Sequence, residues 1–208
     1  MEIISHRGIW KTKEEQNSTE SLLCSLRLGY SVEFDVRDYK SELVISHDIP
    51  DNKSQKLEVF FNKIQNKKNY LLINIKSDGL QSKLNHLLKK YKIKNYFVFD
   101  MSIPDTIIYI KFKIKFLIRL SEYETNLALL NKSSGLWIDH FHKKIIDEKK
   151  IISYLKLNKK IFFVSPELHR KHHIENWKML KKIKYKFPLS KMFLCTDFPV
   201  KAERFFND

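Results

Sequence analysis

Val32-Glu33-Phe34-Asp35-Val36-Arg37-Asp38-Tyr39-Lys40-Ser41-Glu42-Leu43-Val44-Ile45-Ser46-His47-Asp48 is the stretch on which the reading of this chain turns. Val32, Phe34 and Val36 alternate with Glu33, Asp35 and Arg37, the pattern of a strand that carries both carboxylates on one face. Residues two apart on a strand are separated by roughly 7 Å, close enough for two carboxylate tips to converge on one cation. Glu33 and Asp35 therefore read as a metal clamp. A second apolar run, Leu43 to Ser46, then delivers His47 beside Asp48, an imidazole near its titration range next to an acid.

Upstream, Glu2-Ile3-Ile4-Ser5 reads as a short strand that runs into His6-Arg7-Gly8. Those three residues offer a base, an anion-binding fork and a permissive turn. A polar loop from Lys11 to Gln16 follows, and Asn17 or Ser18 caps a helix that buries Leu22, Leu23 and Leu26 and closes at Gly29. Downstream, Leu57, Phe60, Phe61 and Ile64 repeat at helical spacing. Tyr70 to Lys76 is a buried strand with Asn74 and Lys76 sharing a face, as Glu33 and Asp35 do.

The alternation continues to the C-terminus. Strands are predicted at Tyr96–Phe99, Phe116–Leu120, Leu136–Asp139, Ile161–Val164 and Phe193–Cys195. Helices are predicted after Leu80, over Pro104–Lys111, Glu122–Leu130 and Ile145–Leu157, around Trp177, and at the closing segment. About eight strands alternating with about eight helices imply right-handed parallel crossovers closed into a small (β/α)8 TIM barrel. The strand of Leu43 to Ser46 is a short excursion after strand 2 that brings His47 back over the same end. His6, Asp35, Lys76, Asp100, Arg119, Asp139, Glu167 and Asp197 all fall where strands end. An open doubly wound sheet is the competing fold, but no Gly-rich phosphate loop supports it.

The chain of 208 residues is long enough for one domain, 1–208, with a sizeable core. No apolar run approaches the roughly 20 residues of a membrane span, and no basic-then-apolar leader opens the sequence, so a cytoplasmic protein is expected. Cys24 and Cys195 make neither a disulfide framework nor a zinc site. The net charge of +15 comes from lysines scattered along the whole chain. That argues against specific nucleic-acid binding, while a positive field still attracts a small anionic substrate. The trio His169, His172 and His173 reads as an exposed loop rather than a zinc site.

Together, His6-Arg7-Gly8, Glu33-x-Asp35 and His47-Asp48, with Thr196-Asp197-Phe198-Pro199 near the end, resemble the glycerophosphodiester phosphodiesterase family, within the barrel enzymes similar to phosphatidylinositol-specific phospholipase C. The similarity is densest from Met1 to about Gly79. The resemblance implies a metal-dependent phosphodiester hydrolase in which His6 and His47 share the general acid and base roles. It also implies that Arg7 binds phosphate, that Lys76 faces it, and that Glu33 and Asp35 hold one divalent ion, Mg²⁺, Ca²⁺ or Mn²⁺. Arg119 and Glu167 are candidates to read the substrate's variable group, with Asp139, unless the three pair with one another.

Two departures stand out. The family's third metal ligand is usually Glu, where this chain has Asn74, and its usual Glu before Asn17 is here Gln16. An Asn carbonyl still coordinates a hard cation but supplies no charge. Asn74 thus points either to weaker metal retention or to a more anionic substrate, such as a pyrophosphate-linked one. Glu167 or Asp100 could supply the missing carboxylate. The alternative function is a barrel that has lost catalysis and binds phosphorylated ligands or a partner. The oligomeric state is open.

Overall fold

The computed structural model describes residues 1–64, 68–142, 148–157, 159–186 and 191–207. It divides into two compact units, Met1–Ser5 with Leu117–Asp208, and His6–Phe116. Each is built from strand-then-helix repeats.

The unit His6–Phe116 carries the predicted chemistry. Its order after the His-Arg-Gly turn is α1 (Thr19–Arg27), β2 (Ser31–Tyr39), β3 (Glu42–Ile45), β4 (Gln55–Lys56), α2 (Leu57–Lys63), β5 (Leu71–Ile75), α3 (Gln81–Lys90), β6 (Tyr96–Phe99) and α4 (Ile103–Lys111). The strands are ordered β4-β3-β2-β5-β6. β2, β5 and β6 run parallel, whereas β3 and β4 are antiparallel and form the excursion that the sequence predicts. All five residues of β5, Leu-Leu-Ile-Asn-Ile, are buried. Each buried Leu or Ile contributes about 1.5–3 kcal/mol, which outweighs the cost of covering Asn74 in the same strand.

Local signals set the helix ends. Ser18 Oγ accepts from Ser21 N at 3.1 Å to cap α1, and Ser102 caps α4 through Asp105 N. Gly8 makes the turn after His6-Arg7 with φ +92°, and a Cβ there would sit 2.5 Å from Ser21 Oγ and 2.6 Å from the Ser21 carbonyl carbon. Both the backbone conformation and the close approach of α1 demand glycine. Gly8→Ala should cost at least about 2 kcal/mol, since strain and clash act together. Urea denaturation checks this, and an unchanged midpoint would contradict it.

The unit Met1–Ser5 with Leu117–Asp208 holds the start of β1 (Glu2–His6), then β7 (Leu117–Leu120), β8 (Gly135–Ile138), α5 (Glu148–Leu155), β9 (Lys160–Val164), α6 (Ile174–Lys184), β10 (Met192–Thr196) and α7 (Pro199–Asn207). Its strands are ordered β1-β10-β9-β8-β7 and all pair in parallel. Phe162 stacks on Phe193, with ring centroids 4.4 Å apart, between neighbouring strands.

One predicted helix is absent. Residues 122–129 are irregular, followed by a single 3-10 turn over Leu130–Lys132. The polar groups there bond away from the helix direction. Ser121 Oγ accepts from Tyr123 N and Glu124 N, Asn126 Oδ1 from Ala128 N, and the Glu122 carboxylate from Phe141 N and His142 N. Such bonds compete with a helical ladder, and here they win. The first residues of the helix predicted over Ile145–Leu157 lie partly outside the described residues; it is seen over Glu148–Leu155. Among the described residues, no helix is long and apolar enough to cross a membrane.

Candidate active site

β2 and β5 set the geometry of the site, because their parallel register places Asp35 directly beside Asn74. Glu33 precedes Asp35 by one pleat and so shares its face, and Lys76 follows Asn74 in the same way, held by Lys76 N donating to Val36 O at 3.0 Å. Arg7 N donates to Glu33 O at 2.9 Å, which fixes the His-Arg-Gly turn against β2. Ser46 N donates to Asp35 O at 3.1 Å, so the returning strand β3 releases His47 one residue beyond a direct bond to Asp35.

The two acids and the amide beside them are deeply covered: Asp35 is 0% exposed, Glu33 2% and Asn74 8%. Asp35 is clasped from several sides. Arg7 Nε lies 2.9 Å from Asp35 Oδ2 and Lys76 Nζ 3.4 Å from Asp35 Oδ1, ion pairs by distance rather than well-directed hydrogen bonds. Asn17 Nδ2 donates to Asp35 Oδ2 at 2.8 Å while Asn17 Oδ1 accepts from Asp35 N at 3.2 Å. Lys76 Nζ is also 3.7 Å from Asp100, whose backbone adopts φ +70° at the end of β6. His6 Nε2 is 3.9 Å from Glu33 Oε2, and the His6 carbonyl accepts from Trp10 Nε1 at 3.1 Å.

Burial and then the neighbouring Asp35 carboxylate push Glu33 up to about 7, against the opposing pull of His6, Arg7 and Lys76. From its ordinary value of 4.5 up to about 7, the folded chain keeps a proton that the unfolded chain has released. Stability of the metal-free protein therefore falls as pH rises through that window and is level beyond it. Glu33→Gln removes the slope and should stabilise the metal-free chain at about pH 8 by something on the order of 3 kcal/mol. Urea melts in chelator at about pH 4.5 and about pH 8 test the sign. A wild type more stable at the higher pH would overturn it.

The donor set suits a hard divalent cation. Among the described residues no three His, Cys, Asp or Glu side chains gather as a metal cluster. However, Asp35 Oδ1 and Asn74 Oδ1 are buried oxygens with no hydrogen-bond donor, one on each of two paired strands, beside the Glu33 carboxylate. Three oxygen ligands, two of them accepting no hydrogen bond, are of the type that Mg²⁺ or Ca²⁺ takes, with water or substrate completing the shell.

His47 stands at the wall of a groove of about 310 Å³ that Arg7 also lines. Its Nδ1 is 2.8 Å from Asp48 Oδ1, which leaves Nε2 as the ring's other nitrogen. His47 also pulls Asp48 below the usual carboxylate range, first through the hydrogen bond and then through its charge. Gln16 Oε1 accepts from Arg7 Nη1 at 3.3 Å and so helps to hold the guanidinium.

His6, Arg7, Glu33, Asp35, Asn74 and Lys76 are thus brought together, with His47 adjoining. The remaining candidates belong to the other unit and have partners there. Arg119 Nε lies 2.5 Å from Glu124 Oε2, and Asp139 Oδ1 2.5 Å from His169 Nε2. Glu167 accepts from Ser165 Oγ, Thr196 Oγ1 and Asp197 N and lies 3.7 Å from His173 Nδ1, so Arg119, Asp139 and Glu167 each have a partner outside the trio. His169 and His173 are half-buried rather than exposed as expected, because each has an acid partner and an aromatic one, Phe141 and Trp177 respectively. Within the unit His6–Phe116, Asp100 is a further acid beside the cluster, through Lys76. Sequence reasoning missed Asn17, which reads as a helix cap. The only hint of its role is that an Asn tolerates the left-handed backbone it adopts, φ +61°.

No family model and no curated protein sequence matches the chain. Solved structures do. The chain shares the fold of the glycerophosphodiester phosphodiesterases, and so is a (β/α)8 barrel, as the strand and helix alternation predicts, with β3 and β4 as its excursion. The particular structures include a glycerophosphodiester phosphodiesterase from Agrobacterium tumefaciens, with TM-score 0.70 and 12% identity over 98% of this chain and 99% of that one. An Oleispira antarctica phosphodiesterase in complex with the product sn-glycerol-3-phosphate matches with TM-score 0.66 and 14% identity over 100% and 97%. A glycerophosphoryl diester phosphodiesterase from Parabacteroides distasonis matches with TM-score 0.65 and 12% identity over 99% and 86%.

Proposed function

We propose that this chain hydrolyses phosphodiesters at the cluster of His6, Arg7, Glu33, Asp35, His47 and Lys76, with one divalent ion held by Glu33, Asp35 and Asn74. The observation that carries this reading is the fully buried Asp35, ion-paired to Arg7 and Lys76, whose Oδ1 and the neighbouring Asn74 Oδ1 accept no hydrogen bond. The likeness in fold to glycerophosphodiester phosphodiesterases supports it. A diester resists attack because its charge repels nucleophiles and its alkoxide leaves poorly. When bound, the divalent ion supplies charge neutralisation at the phosphoryl oxygens. Arg7 and Lys76 supply the same from the chain, and their attachment to Asp35 fixes them before substrate arrives. One imidazole takes the proton of the attacking hydroxyl and the other protonates the departing oxygen. Asp48 holds the His47 ring for that task.

Bis(p-nitrophenyl) phosphate with Mg²⁺, Mn²⁺ or Ca²⁺ tests the proposal. Release of p-nitrophenol that stops in chelator is expected. Binding of phosphorylated ligands with no turnover under any of the three ions would instead favour the binding-only reading, for which Asn74 is the residue in support. Asn74 also yields a prediction of its own. Asn74→Glu adds a third carboxylate to the ion's oxygens and should tighten the divalent ion about tenfold or more while disfavouring substrates of higher negative charge. Calorimetric titration of Mn²⁺ checks the first part, and unchanged affinity would remove Asn74 from the ligand set.

A further inference from the structure

The groove beside His47 has a chemistry the hydrolytic reading does not use. Its three amide side chains are each oriented by a group that can only donate or only accept. Gln16 Oε1 takes the Arg7 guanidinium, Gln55 Oε1 takes Thr19 N at 2.7 Å, and Asn17 is committed at both ends to Asp35. The acceptors of Gln16 and Gln55 are therefore engaged and their NH₂ groups remain. Lys13 and Lys53 line the same groove, both exposed, and among the described residues no ion pair within 4 Å forms at either ammonium. Two carboxylates share the groove and both have partners: Asp48 is bound to His47, and Glu14 is held below the usual carboxylate range by backbone and Thr12 hydrogen bonds and, to a lesser extent, by the charge of Lys13.

Besides these two carboxylates the groove offers a set of donors, two of them cationic, next to Arg7. Neither a neutral polyol nor a cationic head group would form an ion pair with either ammonium, whereas an anionic group would. With a volume of about 310 Å³, the groove is also larger than a bare glycerol needs.

We infer that the groove binds the alcohol part of the substrate and that this alcohol carries a second anionic group, a phosphate monoester or a carboxylate, received by Lys13, Lys53 and the Gln16 and Gln55 amides. The inference rests on the phosphodiesterase reading of the adjoining cluster. Asn74 agrees with it, because a site with one carboxylate fewer tolerates a more anionic substrate.

The test compares glycerophosphoinositol with glycerophosphoinositol 4-phosphate, and uses bis(p-nitrophenyl) phosphate to report on hydrolysis as such. The wild type should favour the phosphorylated alcohol by at least about tenfold in kcat/KM, and K13M/K53M should bring that ratio near one. Both lysines are exposed, so the variant folds; its far-ultraviolet circular dichroism checks this. Equal use of the two substrates, or a preference that survives in K13M/K53M, overturns the inference while leaving the hydrolase reading intact. If bis(p-nitrophenyl) phosphate is not cleaved, the hydrolase reading fails, and calorimetry with myo-inositol 1,4-bisphosphate tests the groove alone. Binding that weakens at least about tenfold in K13M/K53M sustains it. Absence of binding, or equal binding by both proteins, overturns it.

Discussion

Asp35→Ala is expected to abolish measurable phosphodiester turnover and to destabilise the fold by about 3–5 kcal/mol, the cost of breaking a buried charge arrangement from one side. The carboxylate is fully buried and is the point at which Arg7, Lys76 and Asn17 meet. Its loss leaves the Asn17 amide without its acceptor and removes the ion pair of Arg7, which keeps Gln16 Oε1 at 3.3 Å. Lys76 keeps only its contact of 3.7 Å with Asp100. Asp35→Asn separates the two effects. It preserves volume and the backbone bond from Asp35 N to Asn17, so stability should drop less, while turnover should vanish as completely because the charge at the ion is gone. Urea denaturation with bis(p-nitrophenyl) phosphate assays decides. A stable and active Asp35→Ala protein would mean that this cluster is not the reaction centre.

His6→Ala and His47→Ala should each lower kcat by at least about 100-fold, the usual contribution of a general acid or base. The two differ in their structural cost. The His6 side chain is mostly covered, 3.9 Å from Glu33, so its removal also exposes a buried acid to a new environment. His47 is 45% exposed and, among the described residues, its ring is bound only to its neighbour Asp48, so His47→Ala should melt like the wild type and its defect should be chemical. One limb of the kcat pH profile should disappear in each variant. Near-full activity in both would remove two-histidine catalysis.

Much of this arrangement was legible because strands write their faces into the sequence. The alternation Val32-Glu33-Phe34-Asp35-Val36 places both acids on one face, and the apolar run of β5 puts Asn74 and Lys76 on another strand with the same period. The return of His47 also follows from sequence, since a short apolar run so soon after β2 has room only for an antiparallel excursion. What stayed hidden depends on partners far along the chain. Asn17 looks like any helix cap, and its bonds to Asp35 span 18 residues. The segment after Leu120 has a helical spacing, yet Glu122 binds backbone amides 19 and 20 residues away, and Ser121 and Asn126 bond to nearby amides. Arg119 and Glu167 sit at strand ends as expected, but their local neighbours Glu124 and Ser165 were not readable as partners from spacing alone.

The central claim is that Glu33 and Asp35, with Asn74, grip one dication next to the two imidazoles. Calorimetric titration of Mn²⁺ or Ca²⁺ into the metal-free chain at about pH 8 tests it most directly, because it reads the ion without needing the right substrate. One ion per chain is predicted for the wild type, and none for Glu33→Gln or Asp35→Asn. Binding that survives both substitutions, or no binding by the wild type, would contradict the account.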